Sequence, residues 1–277
     1  MVPAEAAARA AEAVRTAGAL VVTAGAGMGV DSGLPDFRGD EGFWNAYPPY
    51  RRLGLSFVDA ANPEHFEGDP AFGWGFYGHR LNLYRATVPH PGFALLRGWA
   101  ARFGLPLFAV TSNVDGQFQK AGFPADAVVE VHGSIHHLQC TTPCSDDVWE
   151  NEEEVEVDEE TMRASRVPRC PRCGGVSRPN ILMFGDYAWV PHRTHAQRHA
   201  FETWRAEQRA ARRRLAVLEL GAGTAIPTIR LTSEGLGAQG ARVVRINPRE
   251  AQIASPHVSI AAGALEGLRA VDAALGA

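Results

Sequence analysis

Short apolar runs that stop abruptly in glycine or polar residues recur along this chain, and they leave few folds open. Ala19–Thr23 (ALVVT) runs into Gly25-Ala26-Gly27. Pro106–Thr111 (PLFAVT) runs into Ser112-Asn113-Val114-Asp115-Gly116, and Val128–Val131 into His132-Gly133. Leu215–Leu220 (LAVLEL) and Arg242–Ile246 (RVVRI) stop at Gly221-Ala222-Gly223 and at Asn247. Runs this short and this apolar suit strands buried on both faces. Helical patterns separate them, at Ala4–Thr16, Phe93–Phe103, His195–Arg213 and Gly263–Leu275, and Ile181–Phe184 reads as one more short strand. Strands alternating with helices predict an α/β fold, a Rossmann-like parallel sheet.

In such a sheet, ligands bind outside the carboxyl ends of the strands, where the strand order reverses. That rule gathers Gly25–Arg38, Asn113–Asp115, His132, Gly221–Thr224 and Asn247 into one candidate site. Gly25-Ala26-Gly27-Met28-Gly29 lets a backbone approach a pyrophosphate. It lacks the third glycine of the dinucleotide fingerprint, so a ligand-free tight turn explains it equally well. The following residues, Asp31 to Gly39, pack Asp36, Phe37 and Arg38 into one loop, a chemically loaded combination. Asn113 and Asp115 either hold ribose hydroxyls or a water, or merely shape a turn. His132, at a strand end, is either a general base or a structural histidine.

Four cysteines fall in two pairs, Cys140-x3-Cys144 and Cys170-x2-Cys173. Four soft donors in paired knuckles predict a tetrahedral zinc with no open position, hence a structural one. The other readings are a disulfide pair, disfavoured in a cytosolic chain, and unconnected buried cysteines. Between Phe43 and Arg85 aromatic residues and prolines dominate, which predicts a helical insertion. Within it Tyr77 and Arg80 are helical neighbours, placed either to clamp a carboxylate or to pack as an arginine over aromatics. The organisation that follows is a Rossmann-like domain over 1–40, 89–133 and 179–277. A helical insertion (41–88) and a zinc-ribbon module (134–178) form a smaller domain.

The chain of 277 residues carries a net charge of −4, which argues against a general nucleic-acid binder. Ten acidic residues lie between Asp146 and Glu160, and without them the remainder carries +6. That balance either favours an anionic ligand or reflects a solvated loop. Placed between the knuckles, the acidic run reads as an enlarged exposed loop of the zinc module. No apolar run approaches the roughly 20 residues of a membrane helix, and Met1–Ala13 lacks a signal-peptide pattern. The expectation is a soluble, cytoplasmic protein without membrane or nucleic-acid partners.

These motifs together resemble the sirtuins, a family of NAD-dependent protein deacylases. Gly25–Gly39 (GAGMGVDSGLPDFRG) is similar to the sirtuin cofactor loop, and Thr111–Gly116 (TSNVDG) to its T-Q-N-x-D-G motif. Val129–Gly133 (VEVHG) resembles the strand ending in the family's catalytic His-Gly, and Arg178–Asp186 (RPNILMFGD) its R-P-x-V-V-x-F-G-E segment. The resemblance covers about residues 15 to 250 and marks a divergent, bacterial-type member.

It implies NAD as cofactor, one structural zinc and an acylated protein or peptide as substrate, with nicotinamide and O-acyl-ADP-ribose as products. Catalysis would fall to His132 and Asn113. NAD would be held by Gly25, Ala26, Gly27, Asp36, Phe37, Arg38, Ser112, Asn113, Asp115, Gly221, Ala222, Gly223 and Asn247. Leu182 and Phe184 would line the acyl-lysine tunnel. Tyr77 and Arg80 match the Tyr-x-x-Arg of sirtuins that remove succinyl, malonyl or glutaryl groups. The chain departs from the pattern at Gly29, Ser112, Gln117-Phe118, Phe93 and Asp186, and its Gly221–Pro227 loop is one residue short. Ser112, beside the expected ribose, keeps two other readings open: ADP-ribosyl transfer or NAD hydrolysis, and a non-catalytic NAD or ADP-ribose sensor.

Overall fold

The computed structural model describes residues 1–36 and 39–276. Among them the strands run β1 (Ala19–Ala24), β2 (Leu107–Thr111), β3 (Val128–Glu130), β4 (Gly133–Cys140), β5 (Trp149–Glu150), β6 (Val157–Asp158), β7 (Arg163–Ala164), β8 (Ser177–Ile181), β9 (Leu215–Leu220), β10 (Arg242–Ile246) and β11 (Val258–Ile260). Six of these form a wholly parallel sheet in the order β11-β10-β9-β1-β2-β3. The chain builds outward from β1 through β2 to β3, then returns to lay β9 against the other side of β1. The order therefore reverses between β1 and β9, the place where such sheets bind ligands. Register makes the strand ends level, because Ala24 pairs with both Thr111 and Leu220.

Helices cover both faces, so β1 is buried at every residue. On one face Ala4–Arg15, Gly92–Phe103 and Ala264–Gly276 enclose a core containing Leu20, Val22, Leu218 and Val244. On the other, His192–Ala210 and Thr228–Ala238 pack over Val21, Phe108, Val217 and Val243. Local chemistry sets several helix ends. Gly104 closes Gly92–Phe103 in the left-handed conformation, and the Asp31 carboxylate accepts from the Leu265 amide at the start of the last helix. None of the described helices is long and apolar enough to cross a membrane.

A third core lies off the sheet, where Phe43, Tyr50, Phe66, Trp74 and Phe76 pack with Ile135 and Leu138 of β4. Here β4 pairs antiparallel with β5 and β8. The helix Pro70–Ala86 is its spine, opened by Asp69 as cap and Pro70 in the first turn.

Two sequence expectations need correction here. Residues 182–184 are not a strand; β8 lies just upstream, and its Arg178 and Asn180 are fully buried. The acidic run is not merely an exposed loop. Its backbone is docked along Pro70–Ala86, where Asn82 donates to the Val155 carbonyl and Arg85 to those of Asn151 and Glu153. Val155 and Met162 are buried, and glycines on the helix admit them: a Cβ at Gly78 would lie 2.4 Å from the Val155 side chain, and one at Gly75 would strike the Met162 carbonyl. The carboxylates stay in water while the apolar residues between them anchor the segment.

Candidate active site

Two glycine turns meet at the switch point. The Gly25 amide donates to the Leu220 carbonyl (3.0 Å) and that of Gly27 to the Gly221 carbonyl (3.0 Å). Gly221 has φ of +59°, and a Cβ there would sit 2.3 Å from the Gly27 carbonyl carbon. Backbone touches backbone, and Ala26 at the crest of the turn stays exposed. Ala222 is buried and Gly223 half-buried beside it. Gly221→Ala combines a left-handed non-glycine residue with a steric clash, and is expected to cost about 2–4 kcal/mol. Thermal melting checks this; an unchanged midpoint would mean that the two turns can separate freely.

Next to this cradle stands the β2 turn. The Ser112 amide donates to the Ala24 carbonyl (3.1 Å), and Asn113 Nδ2 to the Gly25 carbonyl (3.1 Å). Asn113 thereby ties the second motif to the first. Burial, helped by the Arg198 charge, holds the His132 imidazole below the usual 6.5, against the opposing effect of the Ser112 carbonyl. Asp115 is buried, and loss of solvent raises its carboxyl to about 6, against the opposing bond from the Gln117 amide. The Glu130 charge also raises it.

The turn carrying His132 is gripped by the helix His192–Ala210. Arg193 pairs with Glu130 (2.5 Å), Thr194 Oγ1 donates to the Glu130 carbonyl (3.1 Å), Gln197 Oε1 accepts from the Glu130 amide (3.0 Å), and Arg198 Nη2 approaches the Val131 carbonyl (3.5 Å). Sequence reading had not singled out Glu130 or these helix residues. They lie more than sixty positions apart, so no spacing signals them.

The Leu182 amide donates to the His132 carbonyl (2.9 Å), which sets the residues read as the acyl wall directly beside the candidate base. Leu182 and Phe184 are each 39% exposed, free to meet a ligand. Their loop is held from below by Arg178 and Asp186, both fully buried, in a two-pronged ion pair (2.8 and 2.9 Å). Asp186→Asn leaves Arg178 without its counter-charge and is expected to cost about 3–5 kcal/mol. A drop of the denaturant midpoint at unchanged slope is the check.

Phe57 touches Phe184 (6.0 Å between centroids), and the Arg80 guanidinium lies 5.9 Å from the Phe57 ring. Arg80 and Tyr77 do face one another, but as a cation over a ring (5.6 Å). Arg80 Nε and Nη2 both donate to the Tyr84 hydroxyl, and Tyr77 is buried against Phe66 and Phe76.

Asn247 is fully buried; its Nδ2 donates to the Ala222 carbonyl (2.8 Å) and its Oδ1 accepts from the Arg249 and Glu250 amides. Its side chain braces the loop below the cradle. Asp36 is half-buried at the end of the segment after β1. Phe37 and Arg38 lie outside the described residues.

The four cysteines converge at the far end of the small module. Cys140 Sγ and Cys173 Sγ are 3.7 Å apart, as are those of Cys144 and Cys170, and all four lie within 4.8 Å of one another. Sulfurs bonded to each other would be about 2.05 Å apart. Ligands around zinc at about 2.3 Å stand about 3.8 Å apart at tetrahedral angles, so the set fits one zinc.

The Sir2 family matches residues 25–203 of the chain. An NAD-dependent protein deacylase of Aeropyrum pernix is 31% identical over 231 residues, covering 82% of this chain and 80% of that relative. An NAD-dependent protein deacylase 2 of Pyrobaculum aerophilum is 34% identical over 228 residues, covering 82% and 78%. Among solved structures, a Sir2 homologue–NAD complex aligns with a TM-score of 0.69 at 25% identity, over 96% of this chain and 93% of that one. A Sir2 homologue mutant bound to ADP-ribose gives a TM-score of 0.68 at 26% identity, over 96% of each. The motifs that meet at the strand ends lie within the matched stretch or just beyond it, and the chain belongs to the Sir2 family.

Proposed function

We propose that the protein is an NAD-dependent protein lysine deacylase. The observation that carries this reading is the convergence of His132, Ser112 and Asn113 on the Gly25–Gly221 cradle, with Leu182 against the base. NAD, consumed as a substrate, supplies the ribose–nicotinamide bond whose cleavage drives the transfer. Gly25, Ala26, Gly27, Gly221, Ala222 and Gly223 cradle its phosphates. Ser112, Asn113 and Asp115 hold its ribose and nicotinamide end together with Asp36. Phe37 and Arg38 close the loop over it, and Asn247 shapes the adenosine side.

Leu182 and Phe184 exclude water from the acyl-lysine stem and align the acyl oxygen with the ribose. His132, neutral at physiological pH, takes the proton from a ribose hydroxyl as general base. With one water taken up as the acyl–nitrogen bond breaks, free amine, nicotinamide and O-acyl-ADP-ribose leave. Tyr77 and Arg80, one ring beyond Phe184, form the inner end of the acyl pocket, and Arg80 favours an acidic acyl group such as succinyl or malonyl. The four cysteines hold a structural zinc. Thiols gathered for a metal suit a reducing compartment, which supports a cytoplasmic location.

Nicotinamide release from NAD tests the reading, measured without peptide, with acetyl-lysine peptide and with succinyl-lysine peptide. Release that requires an acyl peptide is expected. Equal release without peptide would favour ADP-ribosyl transfer or NAD hydrolysis, and tight NAD binding without release a sensor.

A further inference from the structure

The reaction site occupies the carboxyl-end edge of the parallel sheet. At the opposite edge lies a cleft of about 230 Å³, lined by Arg9, Arg214 and Arg242, with Glu12 and Thr16 beside them. Two of these guanidinium groups are held side by side. Arg9 Nη2 donates to the carbonyls of Pro256 (3.4 Å) and His257 (3.1 Å), and Arg242 Nη1 donates to the same Pro256 carbonyl. A guanidinium has five N–H donors in a rigid fork, so most of theirs remain available.

Arg214 enters from the turn after His192–Ala210. Its backbone carbonyl is fixed by the Gly18 and Ala19 amides, and among the described residues its side chain has no ion pair or hydrogen bond. Neither Arg9 nor Arg242 has a carboxylate partner among them either. Glu12, the acid on the wall, stands 3.9 Å from Arg15. Three arginines against Glu12 on the wall leave the local potential positive. The neighbouring His257 has its imidazole held below 6.5 by burial first, then by Arg242 of this cleft and by Arg245.

We propose that this cleft is a second binding site, for a small phosphate-bearing anion of pyrophosphate or short polyphosphate size. Arginine forks match phosphate oxygens two at a time. The volume is below the roughly 300–1,000 Å³ of pockets for larger organic ligands, and equals about eight waters at about 30 Å³ each. The occupant would not compete with NAD, since the whole length of the strands separates the two sites.

Calorimetric titration of the zinc-loaded protein with inorganic pyrophosphate and with tripolyphosphate tests this. Binding is expected, weakened about tenfold or more by Arg214→Gln and again by adding Arg242→Gln. Arg214→Gln removes no side-chain contact among the described residues, so its ligand-free melting midpoint should match the parent. Absence of binding overturns the proposal. So does binding that keeps its affinity in both variants, which would place the anion in the Gly25–Gly221 cradle.

Discussion

His132→Ala is expected to lower peptide deacylation by about 10²–10⁴-fold at saturating NAD and peptide. The side chain is half-buried, so the melting midpoint should barely move. The pH profile carries independent information. Burial depresses the imidazole, so the neutral base persists below the ordinary histidine range. Deacylation should hold through neutral pH and fall only as pH drops through that lowered value. Arg198→Gln removes a positive neighbour, and should move the acid limb upward while the enzyme stays folded. Deacylated peptide, followed by mass spectrometry across pH, decides it. A His132→Ala enzyme with parental turnover would reduce the histidine to a structural part and remove the proposed mechanism.

Loss of zinc is the second large effect. Structural zinc in small modules contributes an apparent ~10–16 kcal/mol, and this module's knuckles close the base of the docked acidic segment. Cys173→Ser, or chelation of the parent, is expected to abolish metal content and release that segment from Pro70–Ala86. Amides there, such as Asn151, which donates to the His136 carbonyl, should lose protection from hydrogen exchange. The parallel sheet, with its own two cores, should melt as a separate transition. Deacylation should vanish with the first transition, because the same helix carries Tyr77 and Arg80. Metal-free protein with a single, unchanged melt would show that the four thiols contribute nothing to the fold.

Much of this was readable from sequence for a physical reason. Strands buried on both faces have no room for polar residues, so Ala19–Thr23 and Leu215–Leu220 stand out. The candidate site residues sit at their ends, so finding the strands located the candidates too. The elements missed are those whose burial is not matched by apolar composition. β8 hides behind Arg178 and Asn180, polar side chains that are buried because Asp186 and Gln139 satisfy them. The helix Thr228–Ala238 is diluted by two glycines and by threonines, and β11 is three residues long. The bracing bonds of Asn247, to the Ala222 carbonyl and from the Arg249 and Glu250 amides, have no sequence signal. Glu130 is distinguished from the rest of its strand only by Arg193, which pairs with it from a distant helix. Acidic density concealed Val155 and Met162, whose docking sites are glycines far earlier in the chain.

The acidic segment has a consequence for how this protein can vary. Its ends, Cys144 and Cys170, are pinned 3.7 Å apart at their sulfurs. A loop already closed at its base pays little entropy for extra length, about 0.6 kcal/mol for each doubling. Provided that a small apolar side chain keeps the seat at Gly78 and backbone the seat at Gly75, the intervening residues are nearly unconstrained. Those same residues bring a body of +6 to a net −4. Solubility and electrostatic steering of charged substrates can therefore drift, or be engineered, in one segment without a change at the strand ends where the proposed site lies.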